Sequence, residues 1–142
     1  MDPRYIILHH SLTKDGFTVS WPVIRKYHVE TLGWRDIGYH FGIELVREDY
    51  GYEALVGRPW TAIGAHTRFL NDQSLGICFI GNFDKAEPPE AQWMKGVDLV
   101  QSLLRVFDLP VSAVKGHRDF ATYKSCPGKF FDLDRFRRYV AA

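Results

Sequence analysis

Between Gly116 and Gly128 the chain reads Gly-His-Arg-Asp-Phe-Ala-Thr-Tyr-Lys-Ser-Cys-Pro-Gly, which sets an imidazole (His117), an amine (Lys124) and a thiol (Cys126) in one turn-rich loop. Imidazole and thiolate are donors that zinc favours, and a site with one open position needs only one more protein ligand. The spacing is neither a finger nor a ribbon pattern, so the third donor must come from elsewhere. The pair His9-His10, at the end of the first apolar run, is the obvious supplier. The plainer alternative is a surface loop with a buried Cys and a capping His.

The elements that must position these groups read as follows. Residues 4 to 9 form a strand apolar on both faces, as in a covered sheet. Its side chains alternate, so His9 and His10 point to opposite faces and only one can reach a metal. Asp15-Gly16 marks a turn, and Ser20-Trp21-Pro22 opens a helix to about Thr31 with Val23, Ile24 and Tyr27 inward and His28 a further candidate for that face. His28 reads as a plain helix-face histidine. Strands at about 40 to 46 and 52 to 57 make a hairpin through a turn near Asp49 to Gly51. Gly64 to Gln73 is irregular, and 74 to 80 is a buried strand with Cys78 as core. Residues 89 to 107 carry Trp93, Val97, Val100, Leu104 and Phe107 at helical spacing. Val111 to Lys115 is a short strand. Asp132 caps a last helix with Leu133, Phe136 and Tyr139 on its apolar face and Arg135, Arg137 and Arg138 on a solvated one. Strands and helices interleave without repeat or linker. This predicts one α/β domain over residues 1 to 142, a central mixed sheet covered by helices.

Composition narrows the function. The 142 residues suffice for one packed core, and a formal net charge of +1 argues against nucleic acid as the main partner. No run is long and apolar enough for an integral membrane segment. The first residues enter a strand at once, so the expectation is no signal peptide and a cytoplasmic protein at synthesis. Both cysteines are then expected to be reduced.

Five motifs in order resemble a known family. They are Tyr5 to Ser11, Gly38-Tyr39-His40-Phe41, Gly64-Ala65-His66-Thr67 with Asn71, Ser74 to Phe83, and Gly116-His117-Arg118-Asp119 with Lys124-Ser125-Cys126-Pro127-Gly128. Together, over residues 4 to 128, they look like the zinc N-acetylmuramoyl-L-alanine amidases of the type-2 amidase and peptidoglycan-recognition-protein family, short phage endolysins included. The resemblance implies Zn2+ held by His9, His117 and Cys126. It implies Tyr39 and Lys124 as the catalytic pair, and His66 and Asn71 lining the groove for the muropeptide stem. The family pattern, not periodicity, selects His9 over His10. The interval from His117 to Cys126 is one residue longer than the common family loop, with Phe120 to Tyr123 taking up the length.

The implied chemistry suits these residues. Three ligands leave zinc a position for water, whose pKa falls from about 15.7 to roughly 7. A cation such as Lys124 suits the oxyanion of the tetrahedral intermediate. There is no His-Glu-x-x-His helix to supply a carboxylate base, so Tyr39 is expected to hydrogen-bond the attacking water and assist its deprotonation. His40, next to Tyr39 on a strand, faces away and is structural. The expected function is a cell-wall lysin that acts on peptidoglycan after release, as a monomer. The alternatives are a non-catalytic peptidoglycan-binding module and a cytoplasmic amidase recycling soluble muropeptides. One phage amidase of this family also restrains an RNA polymerase, a partner that nothing in this sequence tests.

Overall fold

Strand β1 (Tyr5–His10) is buried along almost its whole length because it lies between two parallel neighbours, β4 (Ser74–Phe79) and β5 (Val114–Gly116). The computed structural model describes residues 1–13 and 20–142. On the far side of β4 the sheet continues with β2 (Phe41–Arg47), parallel to β4, and β3 (Gly51–Val56), antiparallel to β2. The order is β3-β2-β4-β1-β5, a mixed sheet as the interleaved pattern predicts. The hairpin also forms as read, and Gly51 at its turn takes φ +86, a region open to glycine.

Helices α2 (Glu90–Val106) and α3 (Leu133–Ala141) cover one face of the sheet. The α2 stripe of Trp93, Val97, Val100, Leu103 and Leu104 meets Phe79 and Ile77, and Phe131 and Phe136 close the cluster. Gly96 sits against the Phe79 ring, where a Cβ would collide. Buried Gln92 donates through Nε2 to the carbonyls of Ile43 and Ile80, at 3.0 and 2.9 Å, and so ties the helix to β2 and to the end of β4. Asp132 caps α3 as expected, its Oδ1 accepting from Arg135 N at 2.9 Å.

The other face is thinly covered. Helix α1 (Ser20–Lys26) runs into a π-helical turn, Tyr27–Thr31, and contributes Trp21 to a small cluster with Ile37, Cys78 and Ile80. The Trp21 ring occupies the space over Gly42 that a side chain would fill. One indole is enough for this face, so Val23 and Tyr27, expected inward, are exposed, while Ile24 packs at the edge.

Two other expectations shift. Val111–Ala113 is a 3-10 turn and the strand begins at Val114, because Pro110 and the short edge leave room for three paired residues only. Tyr139 is largely exposed beside Arg135, and Val140 takes the buried position in α3. Cys78 is core, as read. The turn expected at Asp15-Gly16 lies outside the described residues, and the capping hydroxyl expected of Ser20 belongs to a side chain outside the description. Among the described residues no helix is long and apolar enough to cross a membrane.

Candidate active site and metal centre

Because β1 and β5 run parallel, with Leu8 paired to Gly116, their C-terminal ends deliver His9 and His117 to the same edge of the sheet. Crevices beyond the carboxyl ends of parallel strands are the usual ligand sites of α/β sheets. The two imidazole centroids are 4.7 Å apart. His10 points the other way, as alternation requires: its Nδ1 accepts from Phe83 N at 3.1 Å and its ring stacks on Phe83.

The loop after His117 carries Cys126 back to this edge. Arg118 braces it, donating its backbone N–H to the Cys126 carbonyl at 2.8 Å. Its guanidinium reaches the carbonyls of Gly128 and Phe131, at 2.6 and 2.9 Å. Asp84 holds the other side, accepting from Ser125 Oγ and Lys129 N, both at 2.9 Å. The Cys126-Pro127 peptide is cis. The outcome is a thiol whose Sγ is 3.7 Å from His9 Nδ1 and 3.4 Å from the His10 N–H. One donor atom from each of His9, His117 and Cys126 lies within 4.8 Å of the others, a set that can hold a metal ion.

These three line a cleft of roughly 460 Å³ together with Tyr39, His66 and Lys124. The Tyr39 ring centre is 5.3 Å from that of His9. Burial, with Cys78 and Cys126 nearby, pushes the Tyr39 phenol well above its usual range, so in the metal-free protein it stays protonated and is a donor. Lys124 is exposed at the rim, and its charge is felt by His9, His117 and Cys126.

Burial is also the main influence on the ligand set. It lowers His9 well below the ordinary value, helped by His66, His117 and Lys124, and it lowers His117 to about 4, helped by Lys124. Both imidazoles therefore keep free lone pairs at neutral pH, as metal ligands must. Burial raises the Cys126 thiol to about 11, against the opposing pull of the His10 N–H and Lys124. A bound cation supplies the charge that deprotonates such a thiol.

His66 and Asn71 take different places. His66 lines the cleft with its Nδ1 3.0 Å from His9 Nε2. Asn71 does not line it; its Oδ1 accepts from the backbone N–H groups of His66 and Thr67, both at 2.8 Å, and so shapes the loop beneath. His40 is structural, as expected: fully buried, it accepts from Gly76 N at 3.0 Å and donates to the Ala62 carbonyl at 2.8 Å.

His28 corrects the sequence reading. It is no plain helix-face residue: it lines the cleft, accepts from Gly38 N at 3.0 Å and packs on Trp34, with ring centres 4.6 Å apart. Helical spacing allowed an inward His28 but not a place in the cleft, which it reaches from a π-helical turn. Trp34 also edges the cleft, as do Leu12 and Tyr123, which were not singled out from sequence.

Comparison with known proteins gives the family. The Amidase_2 family, described as N-acetylmuramoyl-L-alanine amidase, matches residues 1–129. The endolysin of Enterobacteria phage K11 is 38% identical over 133 residues, covering 91% of this chain and 82% of the phage protein. Among solved structures, the N-acetylmuramoyl-L-alanine amidase LysC from Clostridium intestinale URNW superposes with a TM-score of 0.84 at 27% identity, covering 100% of this chain and 87% of LysC. A Drosophila PGRP-LB mutant in complex with tracheal cytotoxin gives a TM-score of 0.80 at 28% identity, over 94% of this chain and 80% of that one. The chain thus belongs to the Amidase_2 family of N-acetylmuramoyl-L-alanine amidases.

Proposed function

We propose that this chain is a peptidoglycan lysin that hydrolyses the amide between N-acetylmuramic acid and L-alanine, using zinc held by His9, His117 and Cys126. The observation that carries the reading is the convergence of two neutral imidazoles and a thiol within 4.8 Å, at the floor of a cleft that Tyr39 and Lys124 also line. The donor set fits the ion: Zn–N of about 2.0–2.1 Å and Zn–S of about 2.3 Å in a tetrahedron separate N and S by about 3.6 Å. The His9 Nδ1 to Cys126 Sγ distance is 3.7 Å.

When bound, zinc supplies acidified water and polarisation of the scissile carbonyl. The protein's groups do the rest. Cys126 and the two histidines would hold the ion in the cleft. The Lys124 ammonium faces the oxygen that gains charge as the carbonyl becomes tetrahedral, and such donors are worth on the order of 100- to 1,000-fold in rate. Tyr39 offers its O–H as a second donor to the reacting oxygens. In the metal-free protein burial keeps the phenol protonated, as a donor must be. The lining of the cleft holds no carboxylate among the described residues, in keeping with a mechanism that needs no acidic base.

Synthesis in the cytoplasm followed by release to the wall is the route this reading implies, by analogy with the phage endolysins that resemble the chain. A defined muramoyl-peptide tests the bond. Mass spectrometry should find an intact sugar and a stem peptide with a free L-alanine terminus. An uncut but tightly bound muramoyl-peptide would instead make the chain a recognition module.

A further inference from the structure

The contacts behind His9 suggest a task for His66 other than holding substrate. His9 has two ring nitrogens with opposite surroundings: Nδ1 faces Cys126 Sγ, and Nε2 faces His66 Nδ1 at 3.0 Å and Thr67 Oγ1 at 3.4 Å. For Nδ1 to offer a lone pair to a metal, the proton of His9 must sit on Nε2. That N–H then needs an acceptor, and His66 Nδ1 is the nearer one. Thr67 Oγ1 also lies 3.0 Å from His66 Nδ1, so the hydroxyl can donate to the same nitrogen. The His9 N–H makes His66 Nδ1 an acceptor, a role the Thr67 hydroxyl, able to donate or accept, is compatible with, and the His66 proton then sits on Nε2.

The protein fixes the His66 ring closely. Asn71 clamps the backbone N–H groups of residues 66 and 67. Gly76 is flat against the ring, where a Cβ would stand 2.5 Å from Cγ, and Gly64 is close on another side, where a Cβ would stand 2.8 Å from Cδ2. His66 Nε2 is sealed from solvent without a hydrogen-bond partner; the Ser74 carbonyl is near enough to act on the charge of the ring but is out of bonding geometry. A sealed nitrogen of this kind is not placed to recognise a ligand. Its side-chain hydrogen-bond contacts are toward His9 and Thr67, and the His40 ring meets it edge-on at 5.8 Å between centroids.

We propose that His66 is a positioning residue for the metal ligand His9: it accepts the His9 Nε2–H and thereby turns the Nδ1 lone pair toward His117 and Cys126. Metal-bound imidazoles commonly donate their second N–H to such a partner, and removing it weakens metal affinity by about 10- to 100-fold. The inference rests on the zinc reading above.

The test is zinc affinity by chelator competition for wild type, His66→Phe and His66→Gln, with side-chain 15N NMR of the zinc-loaded wild type. Phe keeps the shape and loses the acceptor, whereas Gln keeps an acceptor oxygen. Zinc should bind about 10- to 100-fold more weakly to the Phe variant, with much of the loss recovered by Gln. His66 should show an unprotonated Nδ1 and a protonated Nε2. Equal affinity in wild type and a folded Phe variant overturns the proposal, and a raised KM alone would return His66 to the substrate groove. A proton on His66 Nδ1 in wild type overturns it whether or not the variants fold. A wild type that binds no zinc removes the metal reading itself, an outcome distinct from the other two.

Discussion

His9 Nδ1 and Cys126 Sγ lie 3.7 Å apart although 117 residues separate them in the chain. Parallel pairing of β1 with β5 brings the first into place, and a braced loop brings the second. Arg118 is the main brace, and its neighbours depend on one guanidinium for several carbonyl partners. Arg118→Ala is expected to lower stability by about 2 kcal/mol or more, since bonds to charged donors are worth about 1.5–3 kcal/mol each. It should also weaken metal binding. Urea unfolding and chelator competition check both; a variant with wild-type values in each would show that the loop holds its shape without this residue.

Tyr39 and Lys124 line the cleft beside the candidate donors His9, His117 and Cys126 and lie outside that set, so their loss should separate metal content from turnover. Tyr39→Phe and Lys124→Ala are each expected to keep about one zinc per chain while kcat falls on the order of 100- to 1,000-fold for Lys124→Ala and by a smaller factor for Tyr39→Phe. Zinc analysis beside steady-state rates on a soluble muramoyl-peptide makes the measurement. An unchanged kcat in Tyr39→Phe would remove the phenol from the chemistry.

The histidines also predict how the metal-free protein answers to acid. All six have pKa values lowered by burial, His66 to about 3 and His117 to about 4. The unfolded chain takes up protons below about pH 6.5 while the folded chain resists. Stability is therefore complete above about 6.5 and is lost as pH falls toward the folded values. His66 alone contributes a loss of up to about 2 kcal/mol by pH 5. Urea unfolding of the metal-free protein at about pH 7.5 and pH 5 should show a clear drop, and equal stability at the two would contradict the buried neutral imidazoles.

Much of this was legible in the chain. The apolar run ending in His9-His10 gave a covered strand with its two histidines on opposite faces, and the α2 stripe gave the main core. Residue types and the order of motifs pointed to His9, His117 and Cys126. What the sequence hid is three-dimensional. A π-helical turn moved His28 into the cleft, and a single indole, Trp21, filled a face expected to bury Val23 and Tyr27 as well. The backbone clamp by Asn71 and the contact between His66 and His9 have no periodic signature, because both depend on how an irregular loop folds back on the sheet.

The most direct test of the central claim uses purified peptidoglycan sacculi, with wild type beside Cys126→Ser and each with and without a zinc chelator. New L-alanine amino termini and new reducing sugar ends are counted together. The account predicts amino termini without reducing ends for wild type, lost on chelation and in the variant. Reducing ends, or amino termini that persist in Cys126→Ser and in chelator, would contradict a zinc amidase built on these three residues.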